Sequence, residues 1–169
     1  MIIREETSAD IAGVHRVEVL AFGREAEADL VDALRKNGKA TLSLVAEEAG
    51  QIVGHVLFSP ARIEGPQEIT PVEGMGPVAV APERQGQGIG SALIRAGLEQ
   101  LHQSGCRLVM VEGNPHYYTR FGFQDAAPLE IRCEFNPPPG CFMVQELVAG
   151  ALEGVSGVAY YAVEFQSVG

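Results

Sequence analysis

At 169 residues the chain is the size of one domain with a sizeable core. Its 46% apolar and 20% charged residues exclude a disordered, fibrous or membrane-filling class. The formal charge of −10 is spread along the sequence with no basic stripe, which excludes nucleic acid as the expected partner and mildly favours an amine. No apolar run reaches membrane-spanning length and the start, Met1 to Glu5, lacks a signal-peptide plan, so no membrane partner is expected and the cytoplasm is the expected compartment.

In chain order, Ile2 to Arg4 reads as a short strand, and Thr7-Ser8-Ala9-Asp10 as a capping box opening a helix to about Phe22. A second helix spans about Glu25 to Lys36, with Ala26, Leu30, Ala33 and Leu34 on one stripe, and stops at Asn37-Gly38. Leu42, Leu44 and Ala46 alternate as in a strand, and Glu48-Ala49-Gly50 turns the chain into a second one, Ile52 to Ser59. A loop broken by proline and glycine, Gly65 to Glu73, precedes a short apolar strand at Val78 to Ala81. A long helix from about Gly88 to Gln103 carries Gly90, Leu93, Ile94, Gly97, Leu98 and Leu101 on one buried face. A strand at Arg107 to Val111, a short helix at Pro115 to Phe121, a loop holding Pro137-Pro138-Pro139, and strands at Phe142 to Leu147 and Val158 to Phe165 complete the chain. Three successive strands without intervening helices imply antiparallel pairing, and the strand–helix–strand at Val78 to Val111 implies one parallel crossover. The expected fold class is α/β (α+β): one domain over residues 1–169, a mixed, mostly antiparallel sheet with helices on both faces.

Cys106, Cys133 and Cys141 are irregularly spaced, and His15, His55, His102 and His116 lie far apart in sequence, so no metal site is expected. The informative segment is Pro82 to Ser91. Gly86, Gly88 and Gly90 recur at every second position between a strand and a helix N-terminus, so successive backbone N–H groups can cradle a phosphate or pyrophosphate. A Walker loop would need a lysine before Ser91, and a dinucleotide fingerprint would need glycine at position 91; both fail. What remains is Gln-x-x-Gly-x-Gly, met by Gln85, Gly88 and Gly90. Upstream, Gly74-Met75-Gly76-Pro77 stands where a central strand should begin. Glycine there marks a bulge and proline cannot donate to a ladder, so unpaired backbone would be open to a ligand carrying amides.

The stretch Val78 to Leu93 resembles the cofactor-binding motif of the GNAT acetyltransferase superfamily, Arg/Gln-x-x-Gly-x-Gly/Ala after a strand. Gly113 to Phe123 is similar to the family's Tyr-x-x-x-Gly-Phe segment. The ending Phe142 to Leu147 and the paired tyrosines resemble a poorly characterised bacterial branch, so the likeness covers nearly the whole chain.

The resemblance implies the GNAT acyl-CoA N-acyltransferase fold and acetyl-CoA as cosubstrate. It implies an amine acceptor, a small molecule or a protein amine, and, by analogy with other members, a homodimer. It places the pantetheine arm of CoA along Val78, Ala79 and Val80, with Asn114 offering a side-chain amide. The pyrophosphate falls on Gln85, Gly86, Gln87, Gly88, Ile89, Gly90 and Ser91, and Tyr117 and Arg120 lie toward the CoA end. Tyr118 matches the family's general acid.

An alkylamine is neutral only about once in 2,500 molecules at pH 7, so a base is also expected. Glu73, Glu112 and His116 compete for that role. Glu27 is preferred because it shares helical spacing with Leu30, Val31 and Leu34 and so faces inward. The alternative is an acyl-CoA-binding regulatory module of the same fold without turnover.

Overall fold

The computed structural model describes residues 1–168. Nine strands form a mixed, mostly antiparallel sheet: β1 Ile2–Glu5, β2 Leu42–Glu48, β3 Gln51–Glu64, β4 Glu68–Val80, β5 Leu108–Glu112, β6 Gln124–Asp125, β7 Ile131–Cys133, β8 Phe142–Glu146 and β9 Gly157–Tyr160. The α-helices are α1 Ile11–Phe22, α2 Ala26–Lys36, α3 Ile89–Gln103 and the single turn α4 Pro115–Tyr118. The chain condenses into two compact units, residues 1–59, 76–99 and 163 onward in the first, and 60–75 and 100–162 in the second; β3, β4 and α3 contribute to both.

In the first unit β2 pairs antiparallel with β1 and with β3, in the order β1-β2-β3. The turn between β2 and β3 is tight because Ala49 and Gly50 both take positive φ, at 51° and 76°. At the start of α1 the Asp10 carboxylate accepts the Thr7 backbone N–H at 2.7 Å, as the capping signal at 7–10 anticipates. Successive side chains of β3 point to opposite faces, and each face meets a helix. A Cβ at Gly54 would lie 2.9 Å from Ile89 and Leu93, and one at Gly97 2.4 Å from the Phe58 ring, so α3 packs on the face that Gly54 and Phe58 share. His55 faces the other way, where its Nδ1 lies 2.7 Å from Glu18 of α1 and its Nε2 2.8 Å from Ser43 of β2. Helices therefore cover both faces of this unit's sheet, as expected. The three groups form a buried polar chain. Burial, with the Glu27 carboxylate adding, pushes Glu18 up, and burial pushes His55 down. The pair is thus held as a neutral hydrogen bond rather than an ion pair.

In the second unit β5 lies parallel to β4 through Glu73↔Val109 and Gly74↔Met110, and antiparallel to β8, which also carries β6. β9 joins β3 antiparallel and β7 parallel. The parallel crossover is present, but its ladder lies at 73–74 rather than at Val78 to Ala81.

Three expectations about elements are corrected. The segment Gly65 to Glu73 is mostly strand: β4 begins at Glu68, and the residues that suggested a loop, Pro71 among them, occupy its exposed first turns, where a missing N–H costs little. Gly74 to Pro77 accordingly lies within β4, not at its start, with Gly76 at φ 142°. The last strand stops at Tyr160, because the Tyr161 N–H is taken by the Glu134 carboxylate at 2.8 Å, and a 3-10 helix follows at Val163–Ser167. The two- and three-residue strands β6 and β7 are too short to show any periodicity.

Candidate active site

The glycine-rich turn lies in the first unit. The chain reverses at 85–88 through left-handed backbone at Gly86 (φ 76°) and Gly88 (φ 84°), conformations that disfavour any residue with a Cβ. Side chains brace the turn: Gln85 Nε2 donates to the Val80 carbonyl at 3.1 Å, Arg84 Nε donates to Gln87 at 3.2 Å, and Arg84 is also paired with Glu48. The first bond of α3 runs from the Ala92 N–H to the Gly88 carbonyl at 3.0 Å. The N–H groups of Ile89, Gly90 and Ser91 thus precede the helical ladder and are free to meet an anion, while the Ile89 side chain is buried in the core. Gln85, Gly86, Gln87 and Gly88 are exposed, and Gly90 and Ser91 half-buried.

Just upstream, the Ala81 N–H donates to the Val53 carbonyl at 2.9 Å, which fixes the edges of β4. Backbone groups alternate along a strand, so Ala79 and Ala81 turn toward β3, and Val78 and Val80 present theirs on the other edge. Of the three residues expected to meet an amide-bearing arm, Val78 offers its backbone on the open edge, Val80 offers its N–H while its carbonyl is held by Gln85, and Ala79 faces β3.

The tyrosines lie in the second unit. Asn114 caps α4 by accepting the His116 N–H at 2.9 Å, which leaves its side-chain NH₂ for another partner. The Tyr118 ring contacts Tyr117 (centroids 5.1 Å), Phe123 (6.0 Å) and Phe121 (6.3 Å). It also covers Gly113, where a Cβ would come within 2.4 Å of the ring. Burial, with Tyr117 adding, pushes the Tyr118 phenol up to about 12, so it stays protonated at neutral pH. Arg120 is exposed, its guanidinium 4.8 Å above the Tyr117 ring.

Glu27 faces inward as its spacing predicts, and is buried. Both its oxygens are held by Arg24, at 2.5 and 2.9 Å. Of the competing groups, Glu73 is buried in β4, His116 is exposed at the start of α4, and Glu112 closes β5 beside Gly113.

The fold also gathers a group that linear spacing hides. Ligand atoms of His15, Asp29 and Asp32 lie within 4.8 Å of one another, because α1 and α2 pack side by side. The imidazole is engaged there, with Nδ1 2.8 Å from Asp32 and Nε2 3.0 Å from Glu25, and Asp32 foremost among these partners raises its pKa. Because the folded value lies above the ordinary ~6.5, this clamp stabilises fully below that pH and is lost as pH rises through the raised value. Melting curves should show wild type more stable than His15→Gln at pH 6, with the difference shrinking by pH 9. A constant difference would mean the imidazolium is not what holds the helices.

A turn rich in N–H groups and without lysine suits a pyrophosphate. An open strand edge just upstream of it suits a ligand with its own amides. These properties fit the class of acyl-CoA-dependent acyltransferases. Comparison with known proteins narrows the class: the chain belongs to the GNAT acetyltransferase family, whose domain model, "Acetyltransferase (GNAT) domain", matches residues 2–126. It is 39% identical over 166 residues to the uncharacterized N-acetyltransferase YhbS of Escherichia coli K12, covering 98% of each chain. The crystal structure of E. coli YhbS in complex with CoA is similar, with a TM-score of 0.93 at 37% identity over 99% of this chain and 93% of that one. A GNAT family acetyltransferase of Brucella melitensis in complex with acetyl-CoA gives a TM-score of 0.81, also at 37% identity, over 97% of each chain.

Proposed function

We propose that this chain transfers the acetyl group of acetyl-CoA to an amine by direct attack, and that residues 85–91, the open edge of β4 and Tyr118 carry the reaction. The observation that supports this most is the turn itself: left-handed at Gly86 and Gly88, followed by the unclaimed N–H groups of Ile89, Gly90 and Ser91, with no lysine. Each N–H or dipole contact contributes only ~0.3–1 kcal/mol when exposed, so the turn binds through several amides acting on one pyrophosphate.

In this reading Val78 and Val80 pair with the pantetheine amides, the free NH₂ of Asn114 adds a donor, and Arg120 and Tyr117 serve the CoA end. A backbone N–H near Val80 stabilises the oxyanion as the amine adds to the thioester carbon. The C–S bond then breaks, and Tyr118 donates to the sulfur. An alkyl thiol near 8.5 is a stronger acid than a phenol at about 12, so Tyr118 acts chiefly by hydrogen-bonding the developing thiolate. For the amine's proton the inward-facing candidate is Glu27, which would have to exchange Arg24 for the substrate. The cytoplasm as compartment and a homodimer as assembly belong to the same reading; they rest on composition and on the family fold respectively.

Calorimetry tests the assignment. Acetyl-CoA and CoA should bind in the micromolar range, about −8 kcal/mol, and ATP and NAD at least tenfold more weakly. ATP binding more tightly than CoA would overturn it. Release of CoA thiol when amines are added separates an enzyme from an acyl-CoA-bound regulator of the same fold.

A further inference from the structure

Glu112 is the last residue of β5, directly before the Gly113 on which the Tyr118 ring lies. The residue is exposed, although partial burial raises the pKa of its carboxyl, and among the described residues no lysine, arginine or histidine pairs with it. Its neighbour is the buried Cys133 thiol of β7, with Sγ 3.9 Å from Oε1. Burial, with Glu112 and Glu134 adding, pushes that thiol up to about 11, so it remains a neutral, weak donor.

Other acids named for the reaction are engaged. Glu27 is held by Arg24 through both oxygens, and Glu73 is buried in β4 and not without a partner. Glu112 has no such cation, and it directly precedes the Gly113 that the Tyr118 ring covers.

The chain that supplies the Cys133 neighbour leads, two residues on, to Phe135. Tyr161 is within electrostatic reach of Glu112, Tyr118, Cys133 and Glu134. Its ring stacks on Phe135, centroids 6.2 Å apart and planes at 24°, and Phe135 is 41% exposed. An exposed phenylalanine fixed against a buried tyrosine, next to one free carboxylate, matches a single cation on a flat apolar body. A polyamine would need several free carboxylates in a row, and this cluster offers one.

We propose that Glu112 receives the reacting ammonium of the acceptor and takes its proton, and that the acceptor is a primary amine carried on an aromatic body that packs on the exposed Phe135. The proposal rests on the acetyl-transfer reading and moves the role of base from Glu27 to Glu112. One ammonium proton passes to the Glu112 carboxylate, and the freed nitrogen lone pair bonds the thioester carbon. The C–S electron pair leaves with sulfur. The nitrogen's second proton departs as the amide forms and passes to the leaving sulfur, which Tyr118 hydrogen-bonds, so that CoA leaves as the free thiol.

The test uses the full chain with acetyl-CoA and two probes, 2-phenylethylamine and spermidine, with acetylation followed by mass. Wild type should acetylate 2-phenylethylamine with kcat/KM at least tenfold above spermidine. Glu112→Gln should lower that kcat/KM at least 30-fold, and Phe135→Ala should raise KM several-fold with kcat nearly unchanged. Acetyl-CoA affinity by calorimetry should be unaltered in both variants. Preference for spermidine, no acetylation of 2-phenylethylamine by protein that binds acetyl-CoA, or full activity of folded Glu112→Gln would overturn the proposal and leave the acetyltransferase assignment standing. Failure of wild type to bind acetyl-CoA would strike the assignment itself.

Discussion

Gly88→Asp is expected to weaken CoA binding by at least ~100-fold while the protein still folds. Gly88 sits at φ 84° with nothing within 4 Å of a would-be Cβ, so a side chain there starts in open space. The left-handed backbone costs of order 1–2 kcal/mol for an ordinary residue and less for Asp, whose short polar side chain tolerates it. The damage is electrostatic and falls on the ligand. A carboxylate about 5 Å from one phosphate charge is repelled by roughly 3 kcal/mol at an effective dielectric near 20. Gly88→Ala is the control, keeping the strain without the charge, and should lose only a few-fold. Calorimetry with acetyl-CoA, alongside thermal melting, reads both. Unchanged affinity in folded Gly88→Asp would remove this turn from the cofactor site.

Tyr118→Phe should lower kcat by about 100-fold or more with acetyl-CoA affinity little changed, as for loss of a hydrogen-bond donor used only as the C–S bond breaks. The ring is packed against Tyr117, Phe121 and Phe123 and over Gly113, so phenylalanine keeps the packing and only the hydroxyl is lost. Tyr117→Phe is the internal comparison. Its ring lies under the Arg120 guanidinium, and turnover should be nearly intact. Both variants are to be assayed at saturating acetyl-CoA with the folded fraction measured. Should only Tyr117→Phe lose turnover, the acid is the neighbouring ring; should neither, the thiolate departs without a phenol.

Much of this molecule was legible in one dimension because its signals are local. The 85–91 turn needs glycine where φ is positive and a helix start directly after, and Gly86, Gly88 and the amphipathic run from Leu93 to Leu101 state both requirements in the sequence. The hairpin at Ala49-Gly50 and the end of α2 at Asn37-Gly38 were readable for the same reason. Glu27's inward direction followed from helical spacing alone. Strand β4 was hidden because proline and glycine speak for a loop in isolation, whereas its pairing with β5 is a nonlocal property.

The sequence by itself therefore determined the fold class, the order of the longer elements and the glycine-rich turn at 85–88, since each depends on residues within a few positions of one another. Only the tertiary structure decided which partner each titratable group meets. It gave Glu27 to Arg24, closed His55 between Glu18 and Ser43, and clamped His15 between Asp32 and Glu25. It also left the Glu112 carboxylate without a cation beside Cys133, 21 residues away in sequence. Charge and acidity depend on distance in space and on exclusion of water, and neither is written in the spacing of residues along a chain.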